Sequence, residues 1–255
     1  MTKRRNDDSP KQVAAEEGYD EWAADYDSFD NPMLAAVDDA LGRSLNVLGR
    51  RVVEAGCGTG RNMPRVMAAG AAKYFGMDGS QLMLEKARSR PTNGRVSWRQ
   101  HDITLPWPVE DSSFDFLLVT LVLEHLSDLE SVASEAARVL TSGSRIRILE
   151  MHPTMFDDGG RAHFWRGDEQ LVMPCYRRDE IEYRELFARH RIYIDIVEEW
   201  APSDADAHAQ VSQVRRQTND ARLALSSLTE VAALTWLGTL TFRGRRLPQQ
   251  KPEPS

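Results

Sequence analysis

The segment Val52-Val53-Glu54-Ala55-Gly56-Cys57-Gly58-Thr59-Gly60-Arg61 most constrains what this chain can fold into. Two β-branched residues lead into an acid, then into three glycines spaced two apart, then into an apolar-patterned stretch. That order predicts a buried strand, a tight turn and a helix start. Glycines let backbone approach a ligand closely, and a helix N-terminus offers N–H groups to it. Alone, the pattern points to a ligand of nucleotide type.

Strands and helices alternate downstream, which implies a parallel sheet covered on both faces. Strands are expected at about Arg51 to Glu54, Tyr74 to Met77, Val96 to Arg99, Phe114 to Val119 and Arg145 to Leu149. Helices are expected after Gly60, from a Ser80 cap to about Arg88, and through Val139. The last of these opens on Ser127-Asp128-Leu129-Glu130, which reads as a capping box. Ala14 to Leu48 reads as helical. Residues 152 to 178 are too long for a simple connection and read as a lid or binding loop. A helix over Asp179 to His190, an alternating strand at Ile192, Ile194 and Ile196, a helical stretch over 203 to 232 and a last strand over Thr235 to Phe242 follow.

The chain has 255 residues, enough for one α/β domain with insertions, and no apolar run approaches the roughly 20 residues of a membrane helix. Residues 1 to 10 read as a disordered leader without a signal-peptide core. Two cysteines, Cys57 and Cys175, give no disulfide framework, so a reducing cytoplasm is the expected setting. The net charge of −7 weighs against a nucleic-acid partner. Arg243, Arg245, Arg246 and Lys251 read as a solvated tail.

Asp78 at the end of the second strand, Asp102-Ile103 after the third, Asp78-Gly79-Ser80 followed by Met83-Leu84 and Ala87-Arg88, and Phe114-Asp115 leading to Leu123-Glu124-His125-Leu126 extend the pattern of the glycine loop. With these residues, positions 50 to 150 resemble the class I S-adenosylmethionine-dependent methyltransferases. A dinucleotide fingerprint would place glycine where Arg61 stands, which disfavours a hydride-transfer enzyme. The resemblance implies a Rossmann-like, seven-stranded, mostly parallel sheet with helices on both faces and an antiparallel last strand. It divides the chain into a helical cap over 11–48, a cofactor-binding core over 49–151, an acceptor-side insertion over 152–178, a C-terminal part over 179–246 and a tail over 247–255.

The resemblance also implies a donor site built from Trp22, Tyr26, Glu54, Gly56, Cys57, Gly58, Gly60, Asp78, Gly79, Ser80, Asp102, Ile103 and Thr120. It would hold S-adenosyl-L-methionine and release S-adenosyl-L-homocysteine. Asp78 would accept from the ribose hydroxyls, Glu54 would position the amino group, and Asp102 and the Ile103 amide would meet the adenine. Each has a plainer reading: a strand-to-helix turn, a carboxylate tied to loop groups, a helix cap, or an apolar helix stripe at Tyr19, Trp22 and Tyr26. His125, His152 and His163 are candidates to orient the acceptor or take its proton. Glu150, His152 and His163 lack a metal-ligand spacing, so no metal is expected among them. Phe156, Phe164, Trp165 and Trp200 suit a partly apolar acceptor. A small-molecule acceptor is the expected substrate. A protein or tRNA acceptor, and a nucleoside-binding module without turnover, are the alternatives.

Overall fold

In the computed structural model of the protein, residues 10–28, 31–157, 159–202, 211–217 and 231–237 are described. The elements are β1 (Lys11–Gln12), α1 (Ala15–Trp22), α2 (Pro32–Ser44), β2 (Arg51–Ala55), α3 (Met63–Ala68), β3 (Lys73–Asp78), α4 (Gln81–Ser89), β4 (Val96–Gln100) and β5 (Phe114–Thr120). A 3-10 turn (Leu123–His125), α5 (Glu130–Val139), β6 (Leu140–Met151), α6 (Pro153–Asp157), β7 (His163–Arg166), β8 (Glu169–Val172), α7 (Glu180–Arg189), β9 (Tyr193–Pro202), β10 (Val211–Gln217) and β11 (Val231–Leu237) complete them.

The main sheet has the order β10-β9-β11-β6-β5-β2-β3-β4. β2 pairs with β3 on one side and with β5 on the other, all parallel. The chain therefore steps outward from β2 in one direction and then in the other. The switch point lies between β2 and β5, and open α/β sheets bind ligands at the carboxyl ends of such strands. Here those ends are Glu54 to Gly60 and Thr120 to Val122.

The two central strands are buried on both faces, as continuous apolar runs require. Their alternation divides the core. Val53, Ala55, Leu117 and Val119 pack with Val132, Ala136, Tyr183 and Phe187 from α5 and α7. Val52, Phe116 and Leu118 pack with Val37, Leu41, Met63 and Val66 from α2 and α3. At the sheet's base, the Asp115 carboxylate accepts two bonds from the Arg51 guanidinium at 2.8 Å and one from the Arg51 amide at 3.0 Å.

A second, smaller core covers the site. β7 and β8 form a hairpin across Gly167–Asp168, and β1 adds to β8 in parallel. Trp22 of α1 stacks on Phe164 at 5.8 Å, beside Val13, Leu171 and Met173. A Cβ on Gly18 would meet Met173 Sδ at 2.7 Å, so glycine there lets α1 lie directly on the hairpin. The insertion expected over 152–178 is thus structured, and it shares its core with the N-terminal helix.

Several expectations are corrected. Among the described residues the main sheet has eight strands rather than seven. The last strand among the described residues, β11, runs parallel to both β6 and β9, and the antiparallel strand there is β10 instead. Val211 to Gln217 lies inside the stretch read as helical. It pairs with β9 along its length and covers an edge whose N–H and C=O groups would otherwise be open. The capping box expected at Ser127 is absent: α5 has no side-chain bond at its N-cap, and Asp128 accepts from the Glu130 amide at 3.0 Å. A capping box does open α7, where Asp179 and Glu182 each accept the other's backbone N–H. The leader over 1–9, the end of the expected last strand after Leu237 and the basic residues near the C-terminus lie outside the described residues. Among the described residues, no helix is long and apolar enough to cross a membrane.

Candidate active site

The glycine loop leaves β2 with Gly56, Gly58 and Gly60 at φ of +70°, +52° and +67°. Two of them are required by packing. A Cβ on Gly56 would fall 2.5 Å from Val122, and one on Gly60 would fall 2.4 Å from the Trp98 ring. Gly58 differs, because a Cβ there would meet nothing within 4 Å. The loop amides are largely used by the protein itself. Gly56 and Cys57 donate to the Met77 carbonyl, Gly60 donates to Cys57, and Gly58 donates to Asp78 Oδ2 at 2.7 Å. Those four amides do not form a free cradle for phosphate, unlike a dinucleotide loop.

Above the loop lies a cleft lined by Tyr26, Leu34, Val37, Gly56, Gly58, Asn62 and Thr120, among others. Beneath it, Glu54 is fully buried. Its carboxylate accepts from the Tyr74 hydroxyl at 2.5 Å, from Asn62 Nδ2 at 2.7 Å and from the Thr120 hydroxyl at 3.4 Å. Burial pushes the Glu54 carboxyl up to about 7, against the pull of those three donors. Asn62 was not singled out by the sequence reading. Its amide nitrogen holds Glu54 and Thr120, while its Oδ1 is buried without a hydrogen-bond partner. An orphaned buried acceptor at a cleft wall costs about 1–3 kcal/mol, unless a ligand donor meets it. The signal was present as an Asn two residues past the last glycine, at the mouth of α3.

Asp78 ends β3 with Oδ1 accepting from the Ser80 amide at 2.9 Å and Oδ2 from Gly58. Burial raises its pKa, and the two amides oppose the rise. Ser80 caps α4 by accepting from the Met83 amide at 3.1 Å, and its hydroxyl donates to Asp20 of α1 at 2.5 Å. Asp20 also accepts from the Leu82 amide, so α1 is seated on the start of α4. The Gly79 carbonyl accepts from Gln100 Nε2 at 3.1 Å. Asp102 is exposed and accepts from the Thr104 amide and hydroxyl, forming a local turn. Ile103 is buried and its carbonyl accepts from the Trp107 indole. The Cys57 side chain packs with Leu84 and Ala87, and burial raises its thiol pKa. Tyr26 reaches the cleft, whereas Trp22 lies in the second core.

Arg61 fills the position where a dinucleotide loop would carry glycine. It pairs with Asp38 of α2 at 2.9 Å, and Asp38 also pairs with Arg65 at 2.7 Å. Asp27 accepts from the Thr59 hydroxyl at 2.7 Å and from Arg90 at 2.5 Å. The N-terminal helices are thereby tied to the loop's outer side. Leu121, another lining residue, stands at φ +52°, a left-handed conformation that costs an L-residue about 1–2 kcal/mol. Its amide donates to Leu149, and Glu150 holds the following residues by accepting from the amides of Val122, Leu123 and Glu124.

The three histidines have separate environments. His125 Nδ1 donates to the Pro174 carbonyl at 2.8 Å, which leaves Nε2 to accept from the Tyr19 hydroxyl at 2.8 Å. Glu124 Oε1 lies 3.8 Å from Nε2, and Cys175 Sγ lies 3.8 Å from Nδ1. His152 Nδ1 accepts from the Thr154 amide at 3.2 Å, at the start of α6. His163 sits on β7 and donates from Nδ1 to Arg161 at 2.9 Å. Phe156 and Phe164 are buried, Trp165 is half-buried, and the Trp200 side chain lies outside the described residues.

The sequence profile of a family described as a methyltransferase domain matches residues 53–148. A demethylmenaquinone methyltransferase of Tropheryma whipplei is 37% identical over 128 residues, which are 49% of this chain and 51% of that protein. The chain thus spans about half the length of the curated relatives it matches first. An S-adenosylmethionine-dependent methyltransferase from Mesorhizobium loti superposes with a TM-score of 0.56 at 20% identity, covering 73% of this chain and 98% of that one. A complex between the Haloferax volcanii Trm112 methyltransferase activator and a methyltransferase gives a TM-score of 0.58 at 22% identity, covering 76% and 82%. The switch-point cleft, its glycine loop and the matching profile agree: residues 53–148 match a methyltransferase domain and share the fold of S-adenosylmethionine-dependent methyltransferases.

Proposed function

We propose that the protein transfers a methyl group from S-adenosyl-L-methionine to an oxygen, nitrogen or carbon of a small molecule. The observation that carries this reading is the wall of the switch-point cleft. It combines bare backbone at Gly58 with the unmet Asn62 Oδ1 beside the buried Glu54. An ammonium and a close-fitting nucleoside suit that wall, and a diphosphate does not.

In this reading Asn62 Oδ1 accepts from the donor's amino group, with Glu54 behind it. Gly56, Cys57, Gly58 and Gly60 give it backbone surface. Asp78 offers its remaining lone pairs to the ribose hydroxyls, with Gly79 and Ser80 shaping the turn. Asp102 and the Ile103 amide take the adenine edge, and Thr120 bounds the methyl end. Tyr26 supplies an aromatic face, which suits a sulfonium cation, and Trp22 supports it from the second core. When bound, the cofactor supplies an activated methyl group. The chain's own work is to align the acceptor and remove water, and positioning of this kind contributes about 7–11 kcal/mol.

The cover is residues 11–48 together with the insertion 152–178, set over the core 49–151. His125 joins the two parts, taking a bond from Tyr19 and giving one to Pro174. Its Nε2 lone pair can receive an acceptor proton relayed through the Tyr19 hydroxyl, a contribution of about 10²–10⁴ where the acceptor must lose one. His152 and His163 orient the acceptor from the insertion side. A macromolecular acceptor is the second reading, favoured by the likeness to a chain in complex with a methyltransferase activator. The net charge of −7 supports the small molecule over tRNA.

The test is transfer of labelled methyl to a panel of phenols, quinols, amines and a tRNA and protein fraction. Label on a small molecule, absent with Asp78→Ala, is the expected result. Donor binding without transfer to any class would overturn the catalytic reading, and label on the macromolecular fraction alone would replace the acceptor.

A further inference from the structure

Glu124, His125 and Cys175 form a buried cluster at the junction of the core and its cover. One imidazole nitrogen, the Cys175 sulfur and a Glu124 carboxylate oxygen all lie within 4.8 Å of one another. Glu124 and His125 are less than one-tenth exposed, and Cys175 is half-buried. We propose that these three side chains bind a divalent transition-metal ion of zinc type, at a site separate from the cofactor cleft.

Three observations support it. First, the donor set of thiol, imidazole and carboxylate suits a borderline cation rather than magnesium or calcium. Two ligands of one tetrahedral zinc stand about 3.4–3.6 Å apart, from the usual bond lengths. Glu124 Oε1 is already 3.8 Å from His125 Nε2, and the three donor atoms all lie within 4.8 Å of one another. Second, each donor side chain is oriented by a backbone partner. The Pro174 carbonyl accepts from Nδ1 and keeps the lone pair on Nε2. The Ala162 amide donates to the Cys175 sulfur at 3.5 Å, and the Met151 amide donates to Glu124 Oε2 at 3.4 Å. Supporting bonds of this kind orient metal ligands and tune their basicity. Third, the site gathers acidic side chains. The buried Glu150 lies near Glu124, and its oxygens are met only by amides in the bonds described. A dication there would face two buried carboxyl groups.

The Tyr19 hydroxyl, 2.8 Å from Nε2, is the group an ion must displace. The ion therefore competes with the Tyr19–His125 bond that holds α1 to the core. Occupancy of the site would loosen the cover, coupling metal level to acceptor access.

The experiment uses the full chain, stripped with a chelator and titrated with zinc against a chromophoric competitor, then with cobalt(II). The expected result is saturable binding of a single ion, with a cobalt–thiolate charge-transfer band in the near ultraviolet. Cys175→Ser should abolish the band and weaken zinc binding by about 10–100-fold. Its thermal midpoint should stay close to the parent's, because the sulfur's contacts are a weak bond from the Ala162 amide and a 3.8 Å contact with His125 Nδ1, both open to a hydroxyl. Tyr19→Phe should bind zinc at least as tightly as the parent. His163→Ala, outside the cluster, should leave binding unchanged. Absence of saturable binding, a band that persists in Cys175→Ser, or zinc affinity unaltered by that substitution would each overturn the proposal.

Discussion

Replacing Glu54 with Gln should change how stability depends on pH, and the size of the effect follows from the carboxylate's surroundings. Glu54 is fully buried, and its pKa is about 7 against an ordinary 4.5. A folded-state pKa above the unfolded value means that the native protein binds the proton more tightly. Stability is then fully present below about pH 4.5 and falls as pH rises toward 7. The loss is 2.5 pH units at about 1.36 kcal/mol each, or about 3 kcal/mol, and it is constant above pH 7. Gln carries no charge, so this loss vanishes from the variant. The site can accept the amide. The Tyr74 hydroxyl still has an oxygen to meet, and rotation of the Asn62 amide turns its unmet Oδ1 toward the new N–H. Urea unfolding of both proteins from pH 4 to 8 measures the difference, and every other titrating group cancels in it. Glu54→Gln should gain about 3 kcal/mol on the parent between the ends of that range. A difference that stays constant with pH would refute the argument.

Other substitutions probe the rest of the site. Asp78→Ala should weaken donor and product binding more than tenfold by calorimetry, while circular dichroism shows the sheet intact. Gly60→Ala places a Cβ 2.4 Å from the Trp98 ring at φ +67° and should destabilise by about 2–4 kcal/mol in denaturant unfolding. Asn62→Leu removes the unmet acceptor and should raise the Kd for the donor. A parallel loss for an analogue lacking the amino group would refute the contact. Tyr19→Phe removes one buried hydrogen bond, worth about 1 kcal/mol, and breaks the relay to His125, so for an acceptor that must lose a proton it should lower kcat more than it raises KM.

The central sheet was legible because its signals are local. Val52-Val53 and Phe116 to Val119 are apolar without interruption, and glycines and acids punctuate their ends. The last third was less legible. Val211 and Val214 share a helical spacing, and the pairing with β9 that makes Val211–Gln217 a strand is not encoded within those seven residues. The direction of β11 is likewise set by its neighbours β6 and β9. In the site, the glycine loop, Glu54 and Asp78 were visible from their places at strand ends. Asn62 was not, because its importance rests on an oxygen left without a partner, which only packing reveals. Cys175 lies 50 residues from His125 in the chain, so no spacing rule joins them; the hairpin of β7 and β8 folds the insertion back to bring them together. His152 and His163 are each engaged with local groups, and Glu150 is taken up by the amides of Val122, Leu123 and Glu124.

The most direct test of the central claim is a calorimetric titration of the full chain with S-adenosyl-L-methionine and, separately, with S-adenosyl-L-homocysteine. Saturable binding of both, competed away by neither NAD nor ATP, is the result this account predicts. A folded protein that binds neither ligand would contradict it.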